Sequence, residues 1–367
     1  MSKRYIMKTV QFKKQNNDNF TAALRKNVNE YFQDKKISTK GNYKIILKSI
    51  TMLSLYLVPF ILMLTLPISG WFAILLFAVM GIGMAGIGMN VMHDAIHGSF
   101  SKKNWINKLF GSSIYFIGGN KFNWKVQHNI LHHTYTNIEG FDEDIEPKGS
   151  IRMSKSTPIK KVHRFQHLYA FFLYSLMTIS KLVNDFKQLH KYNKAGITKQ
   201  QGSTPAKEMV KMAFIKAGYL TIFIGLPLLL SVFSGWMLLA GFLTMHLVAG
   251  IFLSTVFQMA HVVEGAEQPL PDVHGVIENE WMIHELETTS NFSRKSRWFG
   301  WMIGGLNFQI EHHLFPNICH IHYRSISPIV EKTAKEFGLR YNEHRSFFSA
   351  MGSHMRILRA LGKPAAN

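Results

Sequence analysis

WFAILLFAVMGIGMAGIGMNVMHDAIH, residues 71–97, is the stretch on which the fold turns. From Trp71 to Met92 it carries no charge, and it then delivers His93, Asp94 and His97. A helix rises 1.5 Å per residue, so about 20 mostly apolar residues cross the hydrocarbon core of a bilayer. The stretch reads as a membrane span that ends in a polar cluster. Working outward, a second apolar stretch at about 45–66 precedes it across Pro67-Ile68-Ser69-Gly70, and two more at about 213–233 and 236–260 flank Ser234-Gly235. Both joints are short and uncharged. Every Lys and Arg lies before residue 49, between 101 and 216, or after 260. Two helical hairpins therefore enter and leave from one side, which the positive-inside rule makes cytoplasmic. The expected fold is all-α: an integral membrane protein with four transmembrane helices in two hairpins and a cytoplasmic helical cap. Both termini are expected on the cytoplasmic side, in the inner membrane if the source is bacterial.

Composition agrees with this division. The 367 residues carry 42 Lys and Arg against 22 Asp and Glu, a formal charge of +20, while 47% of the chain is apolar. That apolar content excludes a disordered basic tail, and a single cysteine, Cys319, excludes a disulfide scaffold. The first 20 residues lack the apolar core of a secretory signal. The boundaries read as a basic segment over 1–40, a membrane domain over 41–345 and a tail over 346–367. Leu168–Ile179 and Trp105–Ile117 read as interfacial helices, and the stretch from Ser327 as an amphipathic one. The glycines at 81, 83, 86 and 88 are spaced for close helix contact rather than for phosphate binding.

The 18 histidines carry the chemistry. His93 and His97 stand at i, i+4 and share a helix face. His128, His132 and His133 fall within six residues, and His312-His313 follow Gln309-Ile310-Glu311. His261 lies just past the fourth span. All belong to the same aqueous side. Buried imidazoles at close spacing repel when protonated and lose hydration when neutral, unless they bind something. A metal answers both costs, and seven or eight imidazoles are too many for one ion, so two are implied. Imidazole alone suits Zn, Cu, Fe or Ni. A site beside apolar helices meets a lipid chain with no bond to hydrolyse, which favours a pair of irons that activate O2. The remaining histidines read differently. His163 and His167 repeat the i, i+4 spacing but precede an interfacial helix. His284, His320 and His322 flank the third cluster. His246 lies mid-span, where an interhelical hydrogen bond is expected. His190, His274, His344 and His354 read as solvated.

HDAIH (93–97), HNILHH (128–133) and QIEHH (309–313) resemble the HxxxH, HxxxHH and QxxHH boxes of the membrane fatty-acid desaturase superfamily, in order and spacing. Gln309, Trp281, the run Glu287–Asn291, the run Gly304–Phe308 and Leu314-Phe315-Pro316 look like its front-end group, which includes Δ5- and Δ6-type acyl desaturases. The resemblance covers roughly residues 40–345. It implies a non-haem di-iron centre that uses O2 and two electrons to place a cis double bond in a fatty acyl chain. The implied metal ligands are His93, His97, His128, His132, His133, His312 and His313, with His261 in the place of an extra ligand of similar stearoyl-CoA desaturases. Gln309, Asp94, Glu311 and Asn291 are implied as further ligands or as their hydrogen-bond partners. Ligating imidazoles donate their second N–H to a carboxylate or carbonyl. Asp94, Glu311, Glu264 and the Asp142-Glu143-Asp144 group are the carboxylates at hand. The implied substrate is an acyl chain on CoA, on a carrier protein or on a membrane lipid. Many eukaryotic front-end enzymes carry a fused cytochrome b5 domain with an HPGG motif, which is not found here. Electrons are therefore expected from an external ferredoxin or cytochrome b5-type donor. A hydroxylase or acetylenase of the same superfamily shares the boxes. A metal transporter would place its ligands near the bilayer midplane, and no groove-reading motif supports a nucleic-acid partner.

Overall fold

The computed structural model describes residues 10–13, 19–146, 149–230 and 233–364. Parts of the basic N-terminal segment (1–9 and 14–18), the tip of the third expected span (231–232) and the last three residues of the tail lie outside the described residues. Among the described residues, four helices are long and apolar enough to cross a membrane: Tyr43–Thr65, Gly70–Ile96, Pro205–Leu229 and Gly235–His261. Their bounds differ from the sequence reading in two useful ways. The second span continues past Met92, so His93 and Asp94 are carried by the span itself. The third starts at Pro205, where the Thr204 hydroxyl accepts from the Lys207 amide and proline occupies the first turn.

The spans pack around Met52, Tyr56, Phe60, Phe77, Met80, Met84, Tyr219, Phe242 and Met245, all buried. Gly81 and Gly83 set the spacing. A Cβ at Gly83 would stand 2.6 Å from the Tyr56 amide nitrogen, and one at Gly81 would stand 2.6 Å from the Met245 carbonyl oxygen. The second span thus touches the first and the fourth backbone to backbone. The two hairpin turns are neighbours, since a Cβ at Gly70 would meet Met237 and Ile68 joins Phe233 in the same core. The histidine boxes lie at the other end. Mid-span His246 joins three helices, as the sequence led us to expect. The Tyr219 hydroxyl donates to its Nε2 at 2.9 Å, and its Nδ1 pairs with the Thr178 hydroxyl at 3.0 Å.

The cap closes over that other end. Helix Asn19–Asp34 repeats Phe20, Leu24, Val28 and Phe32 every fourth residue and buries this stripe against Ile326, Val330 and Ala334 of helix Tyr323–Glu336. Gln11–Phe12 pairs in parallel with Val276–Ile277, and Asn291–Phe292 with Glu343–His344. Helix Gln166–Ser175 packs beside the fourth span and leaves Leu168 and Phe172 exposed; helix Asn104–Gly111 leaves Trp105 and Leu109 exposed. One expectation is overturned here. His354, read as solvated, is buried: helix Phe347–Leu361 packs on Gln166–Ser175, and its ring sits between the Tyr174 hydroxyl at 2.9 Å and the Val262 carbonyl at 2.7 Å. His344 is half-buried, while His190 and His274 are exposed.

Candidate metal centre

Two π-helical turns prepare the site: Ile87–Met92, just before His93, and Lys125–His132. In an α-helix His128 and His133 would point about 140° apart at 3.6 residues per turn. Here the His133 amide donates to the His128 carbonyl five residues back, at 3.1 Å. The wider turn brings His128, His132 and His133 inward together, a use of π-turns common at functional sites. The third box is a short helix, Gln309–Leu314, whose adjacent His312 and His313 project in different directions.

The rings gather into two groups. His93, His97, His128 and His312 bring one ring nitrogen each to within 4.8 Å of one another; His132, His261 and His313 do the same. His133 lies between them, its ring centroid 4.5 Å from both His312 and His313. Trp124 walls the first group, 4.5 Å from His128 and 5.6 Å from His97.

What braces each ring fixes which nitrogen faces inward. Asp142 receives the His132 Nδ1–H, with both carboxylate oxygens at 3.1 Å. Glu285 receives the His313 Nδ1–H at 2.7 Å, and the Thr136 hydroxyl lies 2.8 Å from the same oxygen. The Tyr323 phenol oxygen receives the His312 Nδ1–H at 3.1 Å. Asp94 is 3.5 Å from His93 Nδ1, but its second oxygen holds His320 Nδ1 at 2.8 Å and the Cys319 thiol at 3.0 Å. Lys48 Nζ donates to His320 Nε2 at 2.8 Å. A chain therefore runs Lys48–His320–Asp94–His93.

Whether these residues suit a metal can be tested on the orphaned atoms. His97 Nε2, His132 Nε2, His133 Nδ1, both nitrogens of His261, His312 Nε2 and His313 Nε2 are buried without a hydrogen-bond partner among the described residues. Buried polar atoms are almost always paired, so such a concentration needs a ligand. His128 Nε2 lies 3.2 Å from His93 Nε2 and 3.3 Å from His133 Nε2. Imidazoles bound at about 2.0–2.1 Å to one ion, at 90–110° to each other, stand about 2.9–3.4 Å apart. Burial, and then the neighbouring imidazoles, hold His97, His128, His133, His312 and His313 well below the usual imidazole pKa, so their lone pairs are free. His132 is the exception. Burial opposes its charge, but Asp142, Asp144 and Glu285 overcome that and raise it to about 9. The donor set fits metal binding.

Several expectations change. Asn291 and Glu311 do not brace an imidazole: Asn291 donates to Glu311 at 2.8 Å and to Tyr341 at 2.7 Å, and accepts from the Ile310 amide at 2.9 Å. They anchor the third-box helix. Glu264 sits at the surface with Arg356 and Ser353, and Glu143 pairs with Gln188 and Tyr192. His163 takes the Lys160 amide at 3.1 Å, apart from both groups. Gln309, a helical turn before His312 and His313, keeps both amide atoms buried and without a partner among the described residues. Sequence reasoning missed Glu285, which stands in no box and whose helix, Trp281–Thr288, carries Glu287 as the more conspicuous acid. It also missed Asn137, which holds a left-handed φ of 58° and donates to the carbonyl of His261 at 2.8 Å. That hydrogen bond ties the second box to the end of the fourth span.

Comparison with known proteins agrees with this architecture. The fatty acid desaturase family profile matches residues 69–345. An sn-1 linoleoyl-lipid 6-desaturase of Synechocystis sp. is 34% identical over 94% of this chain and 96% of its own. A protein of the same name from Arthrospira platensis is 33% identical over 93% and 92%. An acyl-lipid (8-3)-desaturase of Physcomitrium patens is 32% identical over 96% of this chain and 74% of its own. With four apolar spans capped by clustered histidines, and with these relatives, the chain belongs to the fatty acid desaturase family and is an oxidoreductase of front-end type that introduces double bonds into fatty acyl chains.

Proposed function

We propose that this enzyme desaturates an acyl chain carried on a membrane glycerolipid, using a pair of iron ions held by His93, His97, His128, His132, His133, His261, His312 and His313. The observation that carries the reading is the convergence of unpartnered imidazole nitrogens at one end of four apolar helices. The iron pair, when bound, supplies the O2 chemistry: one O2, two electrons and two protons accept the two hydrogens lost from adjacent methylenes, leaving a cis double bond and two waters. The protein's own part is placement. Asp142, Glu285 and Tyr323 fix ring orientation, so the inward nitrogens are held before metal arrives. Trp124 and Phe257, whose rings stand 4.5 Å and 5.9 Å from that of His128, give the centre an apolar wall that keeps water out. The acyl-lipid assignment rests on the names of the relatives.

The centre belongs on the cytoplasmic side, since no Lys or Arg lies within 49–101 or 217–260, the stretches that hold the two hairpin turns. There a ferredoxin or cytochrome b5-type donor reaches it, steered by the basic surface. The test is expression in a host with a simple lipid profile, followed by double-bond mapping in each lipid class. A new cis bond between an existing one and the carboxyl end is expected in intact glycerolipids. Products confined to acyl-CoA would overturn the carrier assignment. His132→Ala and His312→Ala are expected to abolish the product while the protein stays in the membrane.

A further inference from the structure

Away from the histidine groups, a cavity of about 280 Å³ opens where the first span meets the cap. Its wall includes Lys44 and Lys48 from the start of the first span, Arg297 and Trp301 from helix Arg297–Met302, and His320 and Arg324. Four basic side chains converge there, and no acidic side chain lines it among the described residues. Arg324 is the most telling. Its guanidinium lies over the Phe308 ring at 5.5 Å, and its Nη2 is buried with no hydrogen-bond partner among the described residues. Burial, then the like charge of Arg297, lowers its pKa from the ordinary guanidinium value. Lys48 is 3% exposed, and its ammonium stands 5.5 Å over Trp301. Like charges drawn together in a recess repel unless an anion sits among them.

The place of the cavity limits what that anion is. Leu47, in its wall, is 61% exposed on the outer face of the first span, and Tyr43, Trp298 and Trp301 are exposed around it. Aromatic side chains gather in this way at the level of lipid headgroups. The volume lies just below the ~300–1,000 Å³ of pockets that enclose a drug-sized ligand, so it has room for a headgroup rather than a whole lipid. Arginine forks match the oxygens of a phosphate diester in pairs, and basic pockets beside membrane helices hold anionic headgroups.

We propose that this cavity binds the phosphate of an anionic membrane glycerolipid, with Arg324 and Arg297 as its hydrogen-bonding forks and Lys44 and Lys48 completing the charge. The site is separate from the acyl-chain chemistry but reaches it, because Lys48 begins the chain through His320 and Asp94 to His93.

The test uses the purified full chain in neutral detergent, with dioctanoyl phosphatidylglycerol, dioctanoyl phosphatidylcholine and inorganic phosphate as separate probes. Binding is read by native mass spectrometry and by the shift in thermal midpoint. Phosphatidylglycerol is expected to bind and raise the midpoint, and the Arg297→Gln/Arg324→Gln pair is expected to weaken it about tenfold, as loss of charge-assisted bonds does. Arg297→Gln alone, at an exposed position, is expected to weaken it by a smaller factor and keeps the test open should Arg324→Gln impair folding. Equal binding of phosphatidylcholine, or unchanged phosphatidylglycerol binding in both variants, would overturn the site. A full midpoint shift from inorganic phosphate alone would overturn its assignment to a lipid.

Discussion

The two imidazole groups are built from the same residue type but are braced differently. His132 and His313 each donate the Nδ1–H to a buried carboxyl group, Asp142 or Glu285, at 3.1 and 2.7 Å. In the other group His312 leans on the neutral Tyr323 phenol, and His93 on Asp94 at 3.5 Å, a carboxylate already shared with His320 and Cys319. A carboxylate partner makes the opposite nitrogen a stronger electron donor. In one group, therefore, His132 is the imidazole that carboxylates hold protonated, and the difference teaches that what surrounds a ligand distinguishes two sites with identical donors.

The largest expected effect tests the grouping itself. His132→Ala and His312→Ala each remove one ring, and both are expected to reduce desaturation to background. Metal analysis should show His132→Ala losing the ion of its own group first; equal loss from both groups would erase the division. Next comes the bracing. Glu285→Gln should lower metal affinity by ~10–100-fold, the usual cost of losing such a partner. Tyr323→Phe, which removes a neutral acceptor, should cost only severalfold by the same measurement. Equal losses would break the comparison.

The contrast also has a pH signature. In the metal-free protein His132 keeps its proton up to about pH 9, so a metal must displace it. Affinity at that group should rise with pH by up to about tenfold per unit until pH 9, in step with one released proton. His97, His128 and His312 are held neutral by burial and need release nothing in this range. Chelator competition between pH 7 and 9 measures both slopes. The sign for stability is opposite. A raised folded-state pKa stabilises the metal-free fold fully below the unfolded value near 6.5, and that contribution is lost as pH rises through about 9.

The smallest effect concerns a histidine outside both groups. His246→Ala leaves the Tyr219 hydroxyl without its partner in the spans and should destabilise the protein by about 1–3 kcal/mol, the cost of an unpaired buried group. Metal content should be unchanged, read by thermal unfolding beside metal analysis.

The sequence alone determined the spans, the hairpins and the sets of histidines. Each is a local property: about 20 apolar residues in a row, a turn too short for a domain, imidazoles a few residues apart. Only tertiary structure decided which rings share a group. His312 and His313 are neighbours in the chain yet enter different groups, and His261 joins His132 from far away in sequence. The inward turn of His133 depends on a π-helical hydrogen bond that local spacing does not announce. Glu285 and Asn137 were illegible for the same reason, since their roles consist of contacts with other segments: Glu285 with His313 of the third box and with Thr136, Asn137 with His261. Helix and span formation follow from short-range hydrogen bonding and hydropathy, whereas ring orientation follows from close packing between distant segments.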